Sequence, residues 1–232
     1  MTDTIKILTD NSENNRYSWK DNPKEHKLSA EDKILKAATE AFLQRGIRSV
    51  TMDYIAKAAG VSKRTVYEHF EGKDTLAVAT IKRMIIEKNK AIIEIIGNTE
   101  NVIEALVIVL ENESKYMQNV PPALEHDLLL YFPSVSVSLI FETEKINEYS
   151  ATYTFIKKGI EQSVFRRDLN ISLVDSFLHE LVSVIHTSYR IKALNPPKNA
   201  ILENIFLPYF RGICTKKGLT LMDKYFENLQ EN

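Results

Sequence analysis

From Ser29 onward the apolar residues recur at spacings of three and four, and nowhere do they alternate over a stretch long enough for a sheet. That period belongs to helices with one buried face, and it leaves little room for strands. The seven glycines and seven prolines among 232 residues are too few for a loop-rich sandwich, a collagen or a disordered chain. The length suffices for one large domain or two small ones with a real core. The chain is therefore expected to be all-α, with about nine helices.

Composition narrows the function classes. A single cysteine, Cys214, leaves no internal disulfide framework and no cysteine-cluster metal site, and it points to a reducing, cytoplasmic setting. The longest unbroken apolar run, 105–110, is far short of the roughly 20 residues a membrane span requires, so no membrane partner is expected. The net charge of −1 gives no global attraction to nucleic acid, so any DNA binding must come from a local patch.

Residues 1–27 read as a disordered or loosely packed tail without a secretory signal. The tail balances five basic against five acidic residues and holds the only tryptophan, Trp19, beside Tyr17. This pair reads as a local anchor on the body or as a DNA-contacting arm. Ser29 is a good N-cap, and Ile34, Ala38, Ala41 and Phe42 mark the buried face of the helix that follows. Gly46 is expected to end it as a left-handed cap. The next helices are expected over 51–59, 63–70 and, as one long element, 74–96. Further helical segments follow at 101–119, 123–132, 137–165, 172–194, 200–214 and 221–229, with Pro208 expected to kink the segment that contains it.

The segment 51–70, TMDYIAKAAGVSKRTVYEHF, reads as two short helices across a tight turn, the helix-turn-helix arrangement. Ala56, Ala58 and Ala59 are small enough to let the helices cross closely, and Gly60 supplies the positive φ of the turn. In the second helix Lys63, Arg64, Thr65, Tyr67 and His69 face outward, while Val66 and Phe70 face inward. Glu68 does not suit a DNA face and is expected to pair with Arg64 at i, i+4. Over residues 24–75 the ten Lys and Arg exceed the eight Asp and Glu by only two, so the placement of Lys63, Arg64 and Lys73 matters more than net charge.

These residues carry a family resemblance. Ile55-Ala56, Ala59-Gly60-Val61-Ser62, Thr65, Tyr67, His69-Phe70, Lys73 and Leu76 form a linked pattern that resembles the DNA-binding domain of the TetR family of bacterial transcriptional regulators. The resemblance covers roughly 29–73, and the remainder is similar in architecture and length. The FRRDLN run at 165–170 and RGICTKKG at 211–218 also resemble segments habitual in that family. The resemblance implies a tail over 1–27 and a helix-turn-helix domain over 28–75, with its motif at 51–70. A long helix joins that domain to a helical ligand-binding and dimerisation domain over 76–232.

The DNA-binding residues implied are Thr51, which caps the first motif helix and touches phosphate, and Ser62, the cap of the second. Lys63, Arg64 and Thr65 meet base edges and phosphates, Tyr67 and His69 meet the DNA backbone, and Lys73 meets phosphate. The partners implied are a pseudo-palindromic double-stranded operator, a small-molecule effector and a second copy of the chain, with no cofactor.

In the second half, Tyr116, His126, Phe132, Tyr149, Tyr153, Phe177 and His179 are candidates for an effector pocket, with ordinary core packing as the alternative. His179 and His186 stand seven apart, whereas a helical metal pair uses i, i+4, so no metal site is expected. The last long helices are apolar around more than one stripe, the mark of deep burial or of a partner. Leu181, Ile185, Ile205, Phe206 and Phe210 are the interface candidates. The function implied is a ligand-responsive repressor that leaves its operator when effector binds. An architectural DNA-binding protein of the same fold remains open. So does a helical enzyme or carrier, though no nucleophile constellation, phosphate loop or metal spacing supports one.

Overall fold

Side-chain caps set where the first helices begin. The computed structural model describes residues 28–119, 123–124, 127–128, 130–131, 134, 150–197 and 200–230. Ser29 Oγ accepts the Asp32 N–H at 3.0 Å and starts α1, Ala30–Arg45. Thr51 caps α2, Met52–Ala59, and Ser62 caps α3, Lys63–His69. Each hydroxyl satisfies a backbone donor that the first helical turn leaves without a partner. The 26-residue α4, Lys73–Asn98, is about 39 Å long. It starts after Gly72, whose N–H is accepted by Thr75 Oγ1.

Then come α5 (Val102–Asn119), α6 (Ala151–Glu161), α7 (Ile171–Thr187), α8 (Tyr189–Leu194), a π turn (Leu202–Phe206), α9 (Leu207–Ile213) and α10 (Lys216–Gln230). The described residues contain no strand, only one isolated antiparallel bridge, Phe165 to Cys214. No described helix is long and apolar enough to cross a membrane.

Two apolar clusters organise these helices. The first gathers Ile34, Phe42, Ile47, Ile55, Val66 and Leu76 from α1 to the start of α4. Leu124, far downstream in sequence, is buried in the same cluster, with Leu128 and Tyr131 packed against it. The second gathers Ile96, Ile103, Ile156, Phe165, Phe210 and Met222. The α4 helix runs between them, with Leu76 and Ile81 in the first cluster and Ile96 in the second. Arg83 of α4 holds Asp32 of α1 at 2.6 Å. At the far end Lys158 of α6 donates to the Ile96 carbonyl, placing a cation at the helix C-terminus where the backbone dipole favours it.

Several expected boundaries are corrected. Gly46 has the positive φ expected, 74°, but its ψ of 162° is extended, so it is not a left-handed helical cap. The long helix expected over 137–165 does not run through 150. Ser150 is extended and caps α6, its Oγ accepting the Tyr153 N–H, and residues 137–149 lie outside those described. The helix expected over 172–194 breaks at the extended Ser188.

The element expected over 200–214 contains a π turn. Pro208 has no N–H to return to the Asn204 carbonyl, and the ladder widens just ahead of it, with the Leu207 N–H reaching Leu202 O. The last helix starts at Lys216, earlier than its apolar residues suggested.

The FRRDLN and RGICTKKG segments meet each other. Arg166 N–H donates to Ile213 O at 3.0 Å and Thr215 N–H to Val164 O at 2.9 Å. Gly159 and Gly218 permit this close approach. A Cβ on Gly159 would sit 2.1 Å from the Phe165 ring, and one on Gly218 would sit 2.2 Å from Val164 O. Cys214 is buried in the joint, and burial pushes its thiol up to about 11.

Candidate nucleic-acid interface

The turn between α2 and α3 is made by Gly60 at φ 65°, ψ 33°, a left-handed conformation that costs a residue with a Cβ. Val61 N–H returns to Ala56 O at 3.1 Å, which folds the chain back tightly enough for α2 and α3 to cross. Thr51 Oγ1 accepts the Tyr54 N–H at 3.2 Å. Ser62 Oγ accepts the Thr65 N–H at 3.0 Å and lies 2.8 Å from Thr65 Oγ1, so both hydroxyls are engaged at the start of α3.

Val66 and Phe70 are buried, which fixes the rotation of α3. Lys63, Arg64, Tyr67, Glu68 and His69 are exposed and Thr65 is half-buried. Lys63, Arg64, Tyr67 and His69 therefore point away from the core, as the spacing predicted. A seven-residue helix bearing such a face has the dimensions of an element that enters a major groove.

The cations on this face are partnered. Lys63 Nζ lies 2.7 Å from Asp53, and that bond raises the Lys63 pKa. Arg64 Nε lies 2.8 Å from Glu68, the pairing expected from their spacing. Both pairs are exposed, so water screens them and phosphate can compete for either cation. Lys73 stands differently. Its ammonium donates to the Arg48 carbonyl at 2.6 Å, and burial lowers its pKa.

Two residues of this surface went unnoticed in the sequence. Tyr54 is partly exposed on α2, and the Arg45 guanidinium lies 4.8 Å from its ring centroid. An aromatic ring interleaved with basic residues was the available signal.

The second half holds the pocket and interface candidates. His126, Phe132 and Tyr149 lie outside the described residues, and Tyr116 is placed on α5 without a described side chain. Tyr153 is half-buried on α6. Phe177 is exposed on α7, with its ring centroid 5.1 Å from that of Tyr209. His179 is half-exposed, and Asp175 Oδ1 lies 3.4 Å from its Nε2 and accepts the Ser150 hydroxyl at 2.6 Å. The Asp175 bond raises the His179 pKa.

A cavity of about 130 Å³ lies between α4, α5 and α6, lined by Ile92, Ile96, Leu106, Val109 and Phe155, with Asn89 and Thr152 as polar groups. None of the seven pocket candidates is among its described lining. Sequence spacing could not find it, because three separate helices contribute to it. Of the interface candidates, Leu181, Ile185, Ile205 and Phe206 are half-buried. Phe210 is not available on the surface. It is buried, with its ring centroid 5.7 Å from that of Phe155. The exposed apolar face belongs instead to Leu173 (68%), Phe177 (48%) and Val184 (48%), one stripe of α7.

Comparison with known proteins places the helix-turn-helix. Residues 34–80 match the family model for bacterial regulatory proteins of the tetR family. The uncharacterized HTH-type transcriptional regulator YhgD of Bacillus subtilis (strain 168) is 38% identical over 82 residues, 34% of this chain and 43% of that protein. The HTH-type transcriptional repressor KstR2 of Mycobacterium tuberculosis is 23% identical over 164 residues, 70% of this chain and 82% of that protein.

The match to YhgD thus spans less than half of that relative's length. Among solved structures, the fatty acid degradation regulator FadR from Bacillus halodurans superposes with a TM-score of 0.53 at 19% identity, covering 76% of this chain and 92% of that one. The shared fold extends over both clusters, whereas the sequence match to YhgD covers only a third of the chain. Residues 34–80 are thus similar to the DNA-binding part of the tetR family of bacterial regulatory proteins.

Proposed function

We propose that the chain is a sequence-specific DNA-binding regulator of transcription, acting as a dimer and releasing its operator when a small molecule binds the second half. The observation that carries the reading is the outward face of α3. Lys63, Arg64, Tyr67 and His69 are exposed on a short helix whose rotation is fixed by Val66 and Phe70. Residues 28–75 are read as the DNA-binding domain and 76–232 as the effector and dimerisation domain. Leu124, with Leu128 and Tyr131 packed nearby, joins the core of the first of these.

In this reading Thr51 and Ser62 present hydroxyls to phosphate, and Lys63, Arg64 and Thr65 reach base edges. Tyr67, His69 and Lys73 meet the backbone. The apolar cavity against α4 is read as the effector site; at about 130 Å³ it holds a small uncharged molecule or one end of a larger one, which Asn89 or Thr152 would orient. The stripe of Leu173, Phe177 and Val184, flanked by Leu181 and Ile185, is read as the dimer face. The chain is read as a repressor, as the KstR2 relative is named, although the FasR relative of Mycolicibacterium smegmatis is named an activator. The relatives found are transcriptional regulators, and the chain is read as no enzyme.

The test is selection of a duplex from a random pool. A pseudo-palindrome with half-sites about 34–36 Å apart is expected. Arg64→Ala should weaken its binding by about 1–3 kcal/mol and relax specificity if Arg64 reads a base. Lys63→Ala should lower the salt slope by about 1 if Lys63 meets phosphate. Unchanged affinity in both variants would remove the assignment of α3.

A further inference from the structure

Each of the two cations at the start of α3 is held by a carboxylate. Arg64 Nε donates to Glu68 Oε1 at 2.8 Å, and Lys63 Nζ lies 2.7 Å from Asp53 Oδ1. All four side chains are more than half exposed, so water screens both pairs and they add little to stability. Asp53 has a local reason for its place, the first turn of α2, where the helix dipole favours an acid. Glu68 has none. It stands in the last turn of α3, where the dipole disfavours an acid and where it would repel an approaching phosphate. A residue that breaks a local rule on a binding surface points to a functional reason.

The geometry of the pair supplies that reason. A guanidinium carries five N–H donors in one rigid plane. Glu68 bonds Arg64 through Nε, which leaves the two terminal nitrogens for a bidentate contact to guanine O6 and N7. The Arg64 side chain is 88% exposed, and among the described residues only Glu68 holds it in one orientation. Lys63 keeps two of its three donors when one goes to Asp53.

On an unrelated duplex nearly all the binding comes from phosphate contacts. There Arg64 must either leave Glu68 or bring that negative charge against the backbone. At the correct base pair neither is needed, because Arg64 reads guanine while still bonded to Glu68. The carboxylate thus weighs more on wrong sequences than on the right one, which is the repulsive element that discrimination needs.

We propose that Glu68 determines specificity as a positioning residue acting through Arg64, and that Asp53 does the same for Lys63. The effect of Asp53 is the weaker, since an ammonium is a point charge without a fixed fork. The proposal rests on the DNA-binding reading.

The test uses the full chain, a duplex selected by the wild type from a random pool, and an unrelated duplex of equal length, over a range of salt concentrations. The variants are Glu68→Ala, Glu68→Gln, Asp53→Asn and Glu40→Gln. Glu68→Gln keeps an oxygen for the Arg64 Nε–H and removes only the charge. Glu40, exposed on α1 and outside both pairs, controls for the loss of one negative charge.

Glu68→Ala should bind the unrelated duplex about fivefold tighter, with a salt slope steeper by about 1, and the selected duplex no tighter, so that the ratio of affinities falls about fivefold. Glu68→Gln should also tighten on the unrelated duplex while staying within about twofold of wild type on the selected one. Asp53→Asn should lower the ratio less, and Glu40→Gln should move both affinities together. In an Arg64→Ala background, Glu68→Ala should no longer change the ratio. A ratio within twofold of wild type for Glu68→Ala, or a fall that persists without Arg64, overturns the proposal. A wild-type protein that selects no duplex instead sinks the DNA-binding reading, a distinguishable failure.

Discussion

The first cluster closes on itself and the second does not. Around α1 to α3 the large aliphatic residues are buried apart from exposed Leu28 and half-buried Leu43 and Val61, and the large apolar groups exposed on the motif are Tyr54 and Tyr67, which carry hydroxyls. On α7 and α8, by contrast, Leu173, Phe177, Val184, Tyr189 and Leu194 lie in the open. Both halves are helical and rich in apolar residues. The difference lies in how many faces each helix must cover. The short helices α2 and α3 have one apolar stripe each, and one small core satisfies them. The α7 helix is apolar around most of its circumference, yet among its described apolar side chains only Val174 and Leu178 are buried. A half that is complete in one copy suits a reading head, and a half with an uncovered stripe suits a partner.

The contrast can be broken most directly in the first cluster. Phe42→Ala removes a ring that is 1% exposed and should cost about 3–5 kcal/mol in urea unfolding, by the same amount at every protein concentration. A loss under about 1 kcal/mol would show that this core is loosely packed and the contrast mistaken.

In the second half the signature is concentration. If the α7 stripe meets a second copy, the wild-type unfolding midpoint should rise with protein concentration. Phe177→Asp should abolish that rise and release monomers in sedimentation, at a cost of about 2 kcal/mol or more in association. A wild-type midpoint independent of concentration would leave the stripe without a copy of itself to cover it.

Smaller again is Thr51→Ala, which removes the cap of α2 and should cost about 1 kcal/mol. Its weight should fall on the first cluster and spare the second, as seen by hydrogen exchange along the two sets of helices.

The smallest effect is one of pH. His179 has its pKa raised above 6.5, chiefly by its bond to Asp175. A raised value means that the folded state favours the protonated ring. The contribution is full below pH 6.5 and is lost as pH rises through the folded value. His179→Gln should flatten that decline above pH 6.5. Persistence of the decline in the variant would assign it to another group.

How much of this was legible in the sequence varies with distance along the chain. The caps Ser29, Thr51 and Ser62, the turn glycine Gly60 and the Arg64–Glu68 pair all act within four residues, and each was readable from spacing. The break at Ser150 was not, because an apolar period continues across it while a serine there competes for the backbone as a cap. The π turn before Pro208 was legible only as a kink, since sequence shows the missing donor but not how the ladder adjusts.

The sequence by itself determined the helical class, the starts of the first helices and which side of α3 faces out. These depend on local hydrogen bonding and on a period of 3.6 residues, and both are written in adjacent positions. Only the tertiary structure decided that Leu124 belongs to the first cluster and Phe210 to the core, that Lys73 holds the Arg48 carbonyl and that three helices enclose a cavity. Those facts join residues tens of positions apart. Two helices can each keep a perfect apolar stripe in several mutual arrangements, so only packing against all the others selects which side chains meet.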